Sequence, residues 1–435
     1  MIKLQNVKGT NDYFGKEQAL RKKVQNTLQE LFELYDFDGM DTTLLNELEL
    51  MTSKYAGGDE IVKEMYQLKD QGQRNLALRY DLTIPFAKVI ALNPGLPFPY
   101  KRYEIGKVFR DGPTKRGRLR EFVQCDVDVV GIAGPAAEAE LMQLAADVFG
   151  KLDIPIVLKW NNRRFLGEVL EALGVPHFEK QSVMLTLDKI AKVSSDGIRA
   201  ELIDKGLNAA ITTAILELIA IRDLTFDKLT DKYGLKESVG AQEVLALQNL
   251  ITSIGLEDIC QFDPFLSRGL SFYTGTVYEI FDATYSFTSS LGGGGRYDSI
   301  IGQLVNRDDI EYPTVGLSFG MESIMAMLEN RSTGVPPSPV VIVPIGDTIT
   351  AALRAAAQLR NCGIRTSVDS GGRKLRKLLA SLSSKGIRNI IFIGEDEQAN
   401  AQVRWKDMTQ KTEKVLTIQE AITLITEQSQ LLREV

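Results

Sequence analysis

KRYEIGKVFRDGPTKRGRLREFVQCDVDVVG, residues 101–131, is the stretch on which the reading of this chain turns. It begins as a strand, passes into a basic loop and returns as a strand. From Lys101 to Arg120 it carries Lys101, Arg102, Lys107, Arg110, Lys115, Arg116, Arg118 and Arg120 against only Glu104 and Asp111. The return arm turns acidic, with Glu121, Asp126 and Asp128, and it alternates. Val123, Cys125, Val127 and Val129 fall on one side, and Gln124, Asp126 and Asp128 on the other. An apolar row behind and an amide–carboxylate row in front is what a sheet floor under a polar ligand requires. A plain surface hairpin explains the alternation as well, so the flanking sequence must decide.

Upstream, Leu20, Val24, Leu28, Leu31, Phe32 and Tyr35 recur at helical spacing and give one apolar stripe. MDTTLL reads as a short strand, 44–54 as a helix, and EMYQLKD with NLALRYDL as a hairpin turning at Gln71–Gln73. PFAKVIALN reads as a helix closed by Asn93-Pro94-Gly95. Downstream, AEAELMQLAADVFGKL is an amphipathic helix and PIVLKW a strand. The stretch from about 165 to 256 is a helical insertion. Strand character returns with FLSRGLSFYTGTVYEIFDAT from Phe265, then come LGGGGRYDSIIG and YPTVGLSFGMESIMAML, a strand entering a helix near Gly320. ENRSTGVPPSP carries three prolines and marks a linker at 331–339. It divides a domain of residues 1–330 from an α/β unit at 340–435.

At 435 residues, 44% hydrophobic and 25% charged, the chain has the composition of a globular protein of two to four domains. The net charge of −6 argues against indiscriminate coating of nucleic acid but permits a local basic patch. No run of about 18 apolar residues and no apolar signal core occur, so the cytoplasm is expected and a membrane is not. Cys125, Cys260 and Cys362 are far apart and odd in number, which supports neither zinc nor a disulfide framework. The single histidine, His177, sits in a turn sequence and excludes histidine triads and HExxH sites.

The polar residues at strand ends are Asp81, Thr83, Arg110, Arg118, Arg120, Gln124, Asp126, Asp128, Arg268, Tyr273 and Glu322. They contain neither a nucleophile–base pair nor a metal cluster. Arginines facing carboxylates, amides and hydroxyls suit a zwitterion beside a phosphate. Chemistry of that kind works by positioning and charge stabilisation and needs no protein nucleophile. The tetraglycine 292–295 reads either as a place where backbone approaches a ligand or as a flexible turn. It is neither a GxxxxGK[ST] loop nor a GxGxxG fingerprint. Arg373, Lys374, Arg376 and Lys377 form a basic helix start that could meet RNA phosphates or simply face solvent.

In this order the motifs resemble those of the histidyl-tRNA synthetases, a family of class II aminoacyl-tRNA synthetases. KGTNDY (8–13) resembles the family's opening and LRYDLTIPFAKVIALN (78–93) its amino-acid-binding strand. FRDGPTKRGRLREFVQCDVDVVG (109–131) is similar to motif 2, and DKIAKV (188–193) to part of the insertion. RGLSFYTGTVYE (268–279) is similar to the histidine-specific motif, and GGGGRYD with VGLSFGMES to the later glycine strand and motif 3. The resemblance covers nearly the whole chain. It implies an α/β (α+β) catalytic domain, with a class II antiparallel sheet flanked by helices, and a C-terminal anticodon-binding domain.

The resemblance also implies roles. Arg110 and Arg268 would be catalytic, holding the ATP α-phosphate. Phe122 would stack on adenine, while Arg118 and Glu322 would complete the ATP site, Glu322 near the phosphates and Mg²⁺. Asp81, Thr83 and Gln124 would bind the amino and carboxylate groups of histidine. Asp128 and Tyr273 would read its imidazole. The implied reaction joins histidine to ATP as an adenylate and passes it to the 3′ end of tRNA(His), in a homodimer. The alternative is a paralogue that senses histidine or RNA without charging tRNA. Two departures stand out: Ser323 occupies the place of the family's motif 3 arginine, and Thr43 and Asn46 replace the proline and glutamate of motif 1.

Overall fold

The computed structural model describes residues 3–53, 59–114, 117–190, 193–269, 272–307, 312–328, 339–372 and 374–431. Lys115, Arg116, Arg373 and all but the last residue of the expected linker lie outside these. The chain divides into two compact units, Met1–Arg331 and Ser332–Val435.

The first unit carries β1 (Asp38–Gly39), β2 (Leu45–Glu47), β3 (Gln67–Lys69), β4 (Asn75–Leu78), β5 (Tyr100–Phe109), β6 (Glu121–Val130), β7 (Ile156–Asn162), β8 (Cys260–Phe262), β9 (Thr276–Asp282), β10 (Gly292–Arg296) and β11 (Thr314–Gly320). Eight of them form one sheet in the order β1-β5-β6-β11-β10-β9-β7-β8. Its interior is antiparallel, and the two outermost strands pair in parallel. β2, β4 and β3 make a small separate sheet.

The 101–131 stretch becomes the hairpin β5–β6, paired from Tyr100↔Val130 to Phe109↔Glu121. Its alternation holds. Cys125, Val127 and Val129 are fully buried, in a core with Leu28 and Phe32 of helix Gly15–Leu34, Leu141 and Val148 of helix Ala136–Lys151, and Ile324 of helix Met321–Leu328. Each such aliphatic side chain stabilises the fold by about 1.5–3 kcal/mol. All three helices therefore cover one face of the sheet and leave the row of Gln124, Asp126 and Asp128 on the other.

The insertion comprises helices Arg163–Ala172, Lys180–Leu187, Ser195–Asp204, Ala209–Ile219, Phe226–Tyr233 and Val239–Ser253. Their starts are written locally. The side chains of Asn162, Ser194, Asn208, Thr225 and Ser238 accept hydrogen bonds from first-turn amides, each worth roughly 1 kcal/mol. Leu166, Leu170, Val183, Leu187, Ile198, Leu202 and Ile215 give part of the insertion its own core.

In the second unit, β12 (Val340–Pro344), β13 (Thr366–Val368), β14 (Asn389–Ile393), β15 (Gln402–Asp407) and β16 (Thr412–Thr417) form a sheet ordered β13-β12-β14-β15-β16. Helices Ile349–Asn361, Leu375–Ser384, Glu395–Ala399 and Ile418–Leu431 accompany it. Of the basic cluster, Lys374, Arg376 and Lys377 are exposed.

Four local expectations change. MDTTLL is mostly irregular, with β1 before it and β2 at its end, and the helix expected over 44–54 is β2 followed by helix Leu48–Thr52. The strand expected from Phe265 begins only at Thr276, because Arg268 takes a left-handed backbone with φ +59° that no strand accommodates. The tetraglycine is no turn: it is β10, inside the main sheet.

Candidate active site

The open face of the sheet is built in rows, because residues paired across strands share a face. One row runs Arg102, Asp128, Gly316, Gly295, Val277; the next runs Glu104, Asp126, Ser318, Gly293, Glu279; a third begins Gly106, Gln124, Gly320. The glycines are what make the floor usable. A Cβ at Gly293 would sit 2.1 Å from Arg268 Nη1, one at Gly295 3.0 Å from Tyr273 Cδ1, and one at Gly316 1.9 Å from Asp128 Oδ1. Three expected site residues therefore rest directly on glycine backbone, so in the tetraglycine it is the side chains of Arg268 and Tyr273 that the missing Cβ atoms admit.

Arg268 is fixed from several sides. Its Nη1 lies 3.6 Å from Glu279 Oε1, and its side chain is hydrogen-bonded to Tyr273. The preceding Ser267 is fully buried and donates to the carbonyl of Met184 in the insertion at 2.6 Å. Burial opposes the guanidinium charge, but Tyr273, Glu279 and Asp188 outweigh it and keep the group cationic. A left-handed arginine costs on the order of 1–3 kcal/mol and persists only where its surroundings dictate it.

Asp128 is enclosed. Its Oδ2 lies 2.7 Å from Arg102 Nη2, and its Oδ1 accepts from the Tyr297 hydroxyl. Burial raises its pKa, against the pull of Arg102. Asp126 is buried as well, and burial pushes it up to about 7, against Arg102 and with Asp128 adding to the rise. Gln124 donates to Ser318 Oγ at 3.0 Å, while its buried Oε1 has no hydrogen-bond partner. Asp81 accepts from the Ile84 amide at 3.0 Å, at the start of helix Thr83–Leu92. Burial raises its pKa in turn, opposed by that amide and by Arg110. Thr83 is half-buried in the first turn of the same helix.

At the hairpin's loop end, the Arg110 guanidinium carbon lies 4.3 Å from the centroid of the Tyr80 ring and 5.0 Å from that of Phe122. Arg118 reaches Glu64 at 2.8 Å, and Glu64 also accepts from the Tyr80 hydroxyl. Gly9, with φ +84°, accepts from the Arg120 amide at 2.8 Å, so the opening KGTNDY segment clasps the loop. Asp81, Gln124, Asp128, Arg268, Tyr273, Arg110 and Phe122 thus share one face. Much of the hairpin's remaining basic charge is consumed internally: Lys101 pairs with Glu140, Lys107 with Glu121, and Arg102 is fully buried.

Glu322, expected beside phosphate and magnesium, is held by an arginine of the fold. Both its oxygens accept from Arg21 of the first helix, at 2.7 Å each, and the Tyr13 ring covers that guanidinium at 3.8 Å. Among the described residues no group of three or more His, Cys, Asp or Glu could hold a metal ion, and one or two carboxylates with the phosphates of a nucleotide are the usual ligands of magnesium. Sequence reasoning passed over Arg21. Its signal was a charge inside an apolar stripe, since Arg21, Val24, Leu28 and Phe32 are the buried positions of that helix. Tyr297 and Arg102 were also missed, because only the register shows that they meet Asp128. At motif 1, Thr43, Asn46 and Lys88 form a local polar knot with contacts of 2.8–3.0 Å.

The family profile described as histidyl-tRNA synthetase matches residues 9–324, and the profile described as an anticodon binding domain matches 339–428. The chain is 43% identical to a protein named histidine–tRNA ligase 1 from Bacillus cereus (strain ZK / E33L), over 95% of this chain and 97% of that one. It is 29% identical to a histidine–tRNA ligase from Phocaeicola vulgatus, over 96% and 98%. The crystal structure of histidyl-tRNA synthetase from Nostoc sp. PCC 7120 superposes with a TM-score of 0.82 at 25% identity, covering 98% of this chain and all of that one. A structure titled ATP phosphoribosyltransferase regulatory subunit/histidyl-tRNA synthetase, from Bacillus halodurans C, shares the fold with a TM-score of 0.75 at 18% identity, over 91% and 99%. On its motifs, its sheet and these matches, the chain belongs to the histidyl-tRNA synthetase family.

Proposed function

We propose that the protein is a histidine–tRNA ligase, which forms histidyl-adenylate from histidine and ATP and transfers the histidyl group to tRNA(His). The observation that carries this is the pairing of Arg268 with Tyr273 over the glycine strand β10, on the same face as the row Gln124, Asp126 and Asp128 of β6. A cation for phosphate and a carboxylate floor for an amino acid lie two strand spacings apart, on β10 and β6 with β11 between them. Arg110 and Arg268 take the roles of binding the α-phosphate and stabilising the charge that develops there as the histidine carboxylate attacks. Phe122 stacks on adenine, and Arg118 faces the nucleotide tail. Asp81, Thr83 and Gln124 hold the amino and carboxylate groups. Tyr273 and Asp128 recognise the imidazole, and an analogue without the ring N–H leaves buried polar groups unpaired.

The second unit supplies contact to the tRNA, in keeping with its match to an anticodon-binding family. That match favours tRNA charging over a sensor without catalysis. The working form is a homodimer, and the compartment is the cytoplasm. Among the described residues no helix is long and apolar enough to cross a membrane. The test is aminoacylation of a tRNA(His) transcript with labelled histidine. Charging that depends on ATP and on histidine is expected, and histidine activation without any charging would overturn the transfer step.

A further inference from the structure

A chain of alternating charge leads to Asp128. Arg79 lies 2.6 Å from Glu104, Glu104 3.6 Å from Arg102, and Arg102 2.7 Å from Asp128. All four side chains are buried. Thr42 holds Glu104 through its amide and its hydroxyl at 3.0 Å each, and Arg79 donates to the carbonyls of Thr42 and Lys107. Gly106 admits Arg79, since a Cβ there would sit 2.3 Å from its Nη2. Arg102 donates at 3.1 Å to the carbonyl of Leu82, between Asp81 and Thr83, and lies over the Phe86 ring. Its buried Nε has no hydrogen-bond partner, so the guanidinium is placed for Asp128 rather than to satisfy all of its own donors. Buried ion pairs contribute little net stability, which leaves the geometry of this chain to be explained by what it does for Asp128.

We propose that the site takes the histidine ring uncharged, and that Arg102 is the positioning residue that enforces this by holding Asp128 as an oriented carboxylate. The proposal rests on the functional reading above. Two observations carry it. The first is charge. Arg79, Glu104, Arg102 and Asp128 sum to zero, so an imidazolium would bring an uncompensated charge to a buried cluster. The other groups around Asp128 are Tyr297 and Tyr273, Asp126 on β6 and, beyond it, Asp81 before helix Thr83–Leu92. Arg268, over β10, is answered by Glu279. Burial opposes the charge on Asp128, and Arg102 opposes the effect of burial. The second observation is hydrogen-bond polarity. Tyr273 is bonded to Arg268. A guanidinium only donates, so the Tyr273 oxygen accepts and its own proton is left for the ligand. A neutral imidazole offers one N–H to Asp128 and one bare nitrogen to Tyr273, whereas an imidazolium has no acceptor. Tyr297 does not compete, because its hydroxyl is donated to Asp128 Oδ1.

Isothermal titration calorimetry with histidine and triazolylalanine, in buffers of different ionisation enthalpy, tests the proposal. Both rings carry an N–H and an acceptor, but only imidazole takes up a proton in the working range, near about pH 6.5. Histidine is expected to bind about tenfold more weakly at about pH 5.5 than at about pH 7.5, and at the lower pH to release about one proton more than triazolylalanine, whose affinity stays within about twofold. Titration of Asp126 or another protein group acts on both ligands alike. Arg102→Lys keeps the cation and is expected to keep this dependence. Arg102→Gln removes the cation, so the complex retains the proton and histidine is expected to bind within about threefold at the two pH values. A flat histidine affinity in the unaltered protein, a dependence unchanged in Arg102→Gln, or one lost equally in both variants would overturn the proposal while leaving the ligase reading intact. No binding of histidine to the unaltered protein at either pH would overturn both. Should Arg102→Gln not fold, the unaltered protein decides: no excess proton release over triazolylalanine refutes the proposal.

Discussion

Replacing Arg21 by methionine probes the residue that the apolar stripe concealed. Its guanidinium makes two 2.7 Å hydrogen bonds to Glu322, with the two side chains 5% and 10% exposed. Removing one member of such a buried pair strands the other charge and costs about 3–5 kcal/mol. Loss of the Tyr13 stack costs about 0.5–2 kcal/mol, which partly overlaps that figure. Methionine keeps the apolar stem, so the packing of Val24 and Leu28 is little disturbed. The expected loss is therefore about 3–5 kcal/mol, roughly ten times what an exposed pair would show. The assay is urea unfolding followed by tryptophan fluorescence. The chain has two tryptophans, Trp160 and Trp405, one in each unit, and a Trp405→Phe background isolates the first unit. Adding Glu322→Gln to Arg21→Met is expected to recover much of the loss, since no charge is then left buried. A loss below about 1 kcal/mol, or no recovery in the double variant, would refute the claim that this pair anchors helix Met321–Leu328 beside Ser323.

Two further outcomes follow from the glycine floor and the buried carboxyl. Gly293→Ala places a methyl 2.1 Å from Arg268 Nη1 and 2.7 Å from the Tyr278 carbonyl. Histidine-dependent ATP–pyrophosphate exchange is expected to fall by about 100-fold, and an unchanged rate would show that Arg268 does not act from this position. Asp126 has a folded pKa of about 7 against an ordinary 3.8, so between these values the folded state holds a proton that the unfolded state has lost. Its contribution is full below about pH 4 and is lost as pH rises through 7, by roughly 4 kcal/mol at most. Asp126→Asn is therefore expected to gain stability relative to the unaltered protein between pH 5 and pH 8 in urea melts, and a gain of the opposite sign would contradict the burial argument.

The β6 strand was legible because a period of two sorts side chains onto two faces whatever they touch. The same holds for helix Gly15–Leu34, where the repeat of Val24, Leu28 and Phe32 states which side is buried. What sequence could not convey was anything set by register. The tetraglycine acquires its meaning from Arg268 and Tyr273, which reach it from a loop some twenty residues away. The basic half of 101–131 looked like one phosphate-facing patch, yet Arg102 is the buried partner of Asp128 and Lys107 is paired with Glu121. Counting charges does not reveal which are already spent on each other. The segment after Phe265 had the composition of a strand, and the left-handed turn at Arg268 overrode it.

The central claim is that this face activates histidine through Arg268 and its glycine cradle. Histidine-dependent ATP–pyrophosphate exchange, measured for the unaltered protein and for Arg268→Ala, tests it most directly. The account predicts exchange with histidine and not with other amino acids, and a loss of orders of magnitude in Arg268→Ala while histidine binding stays measurable. No exchange in the unaltered protein, or full exchange in the variant, would contradict it.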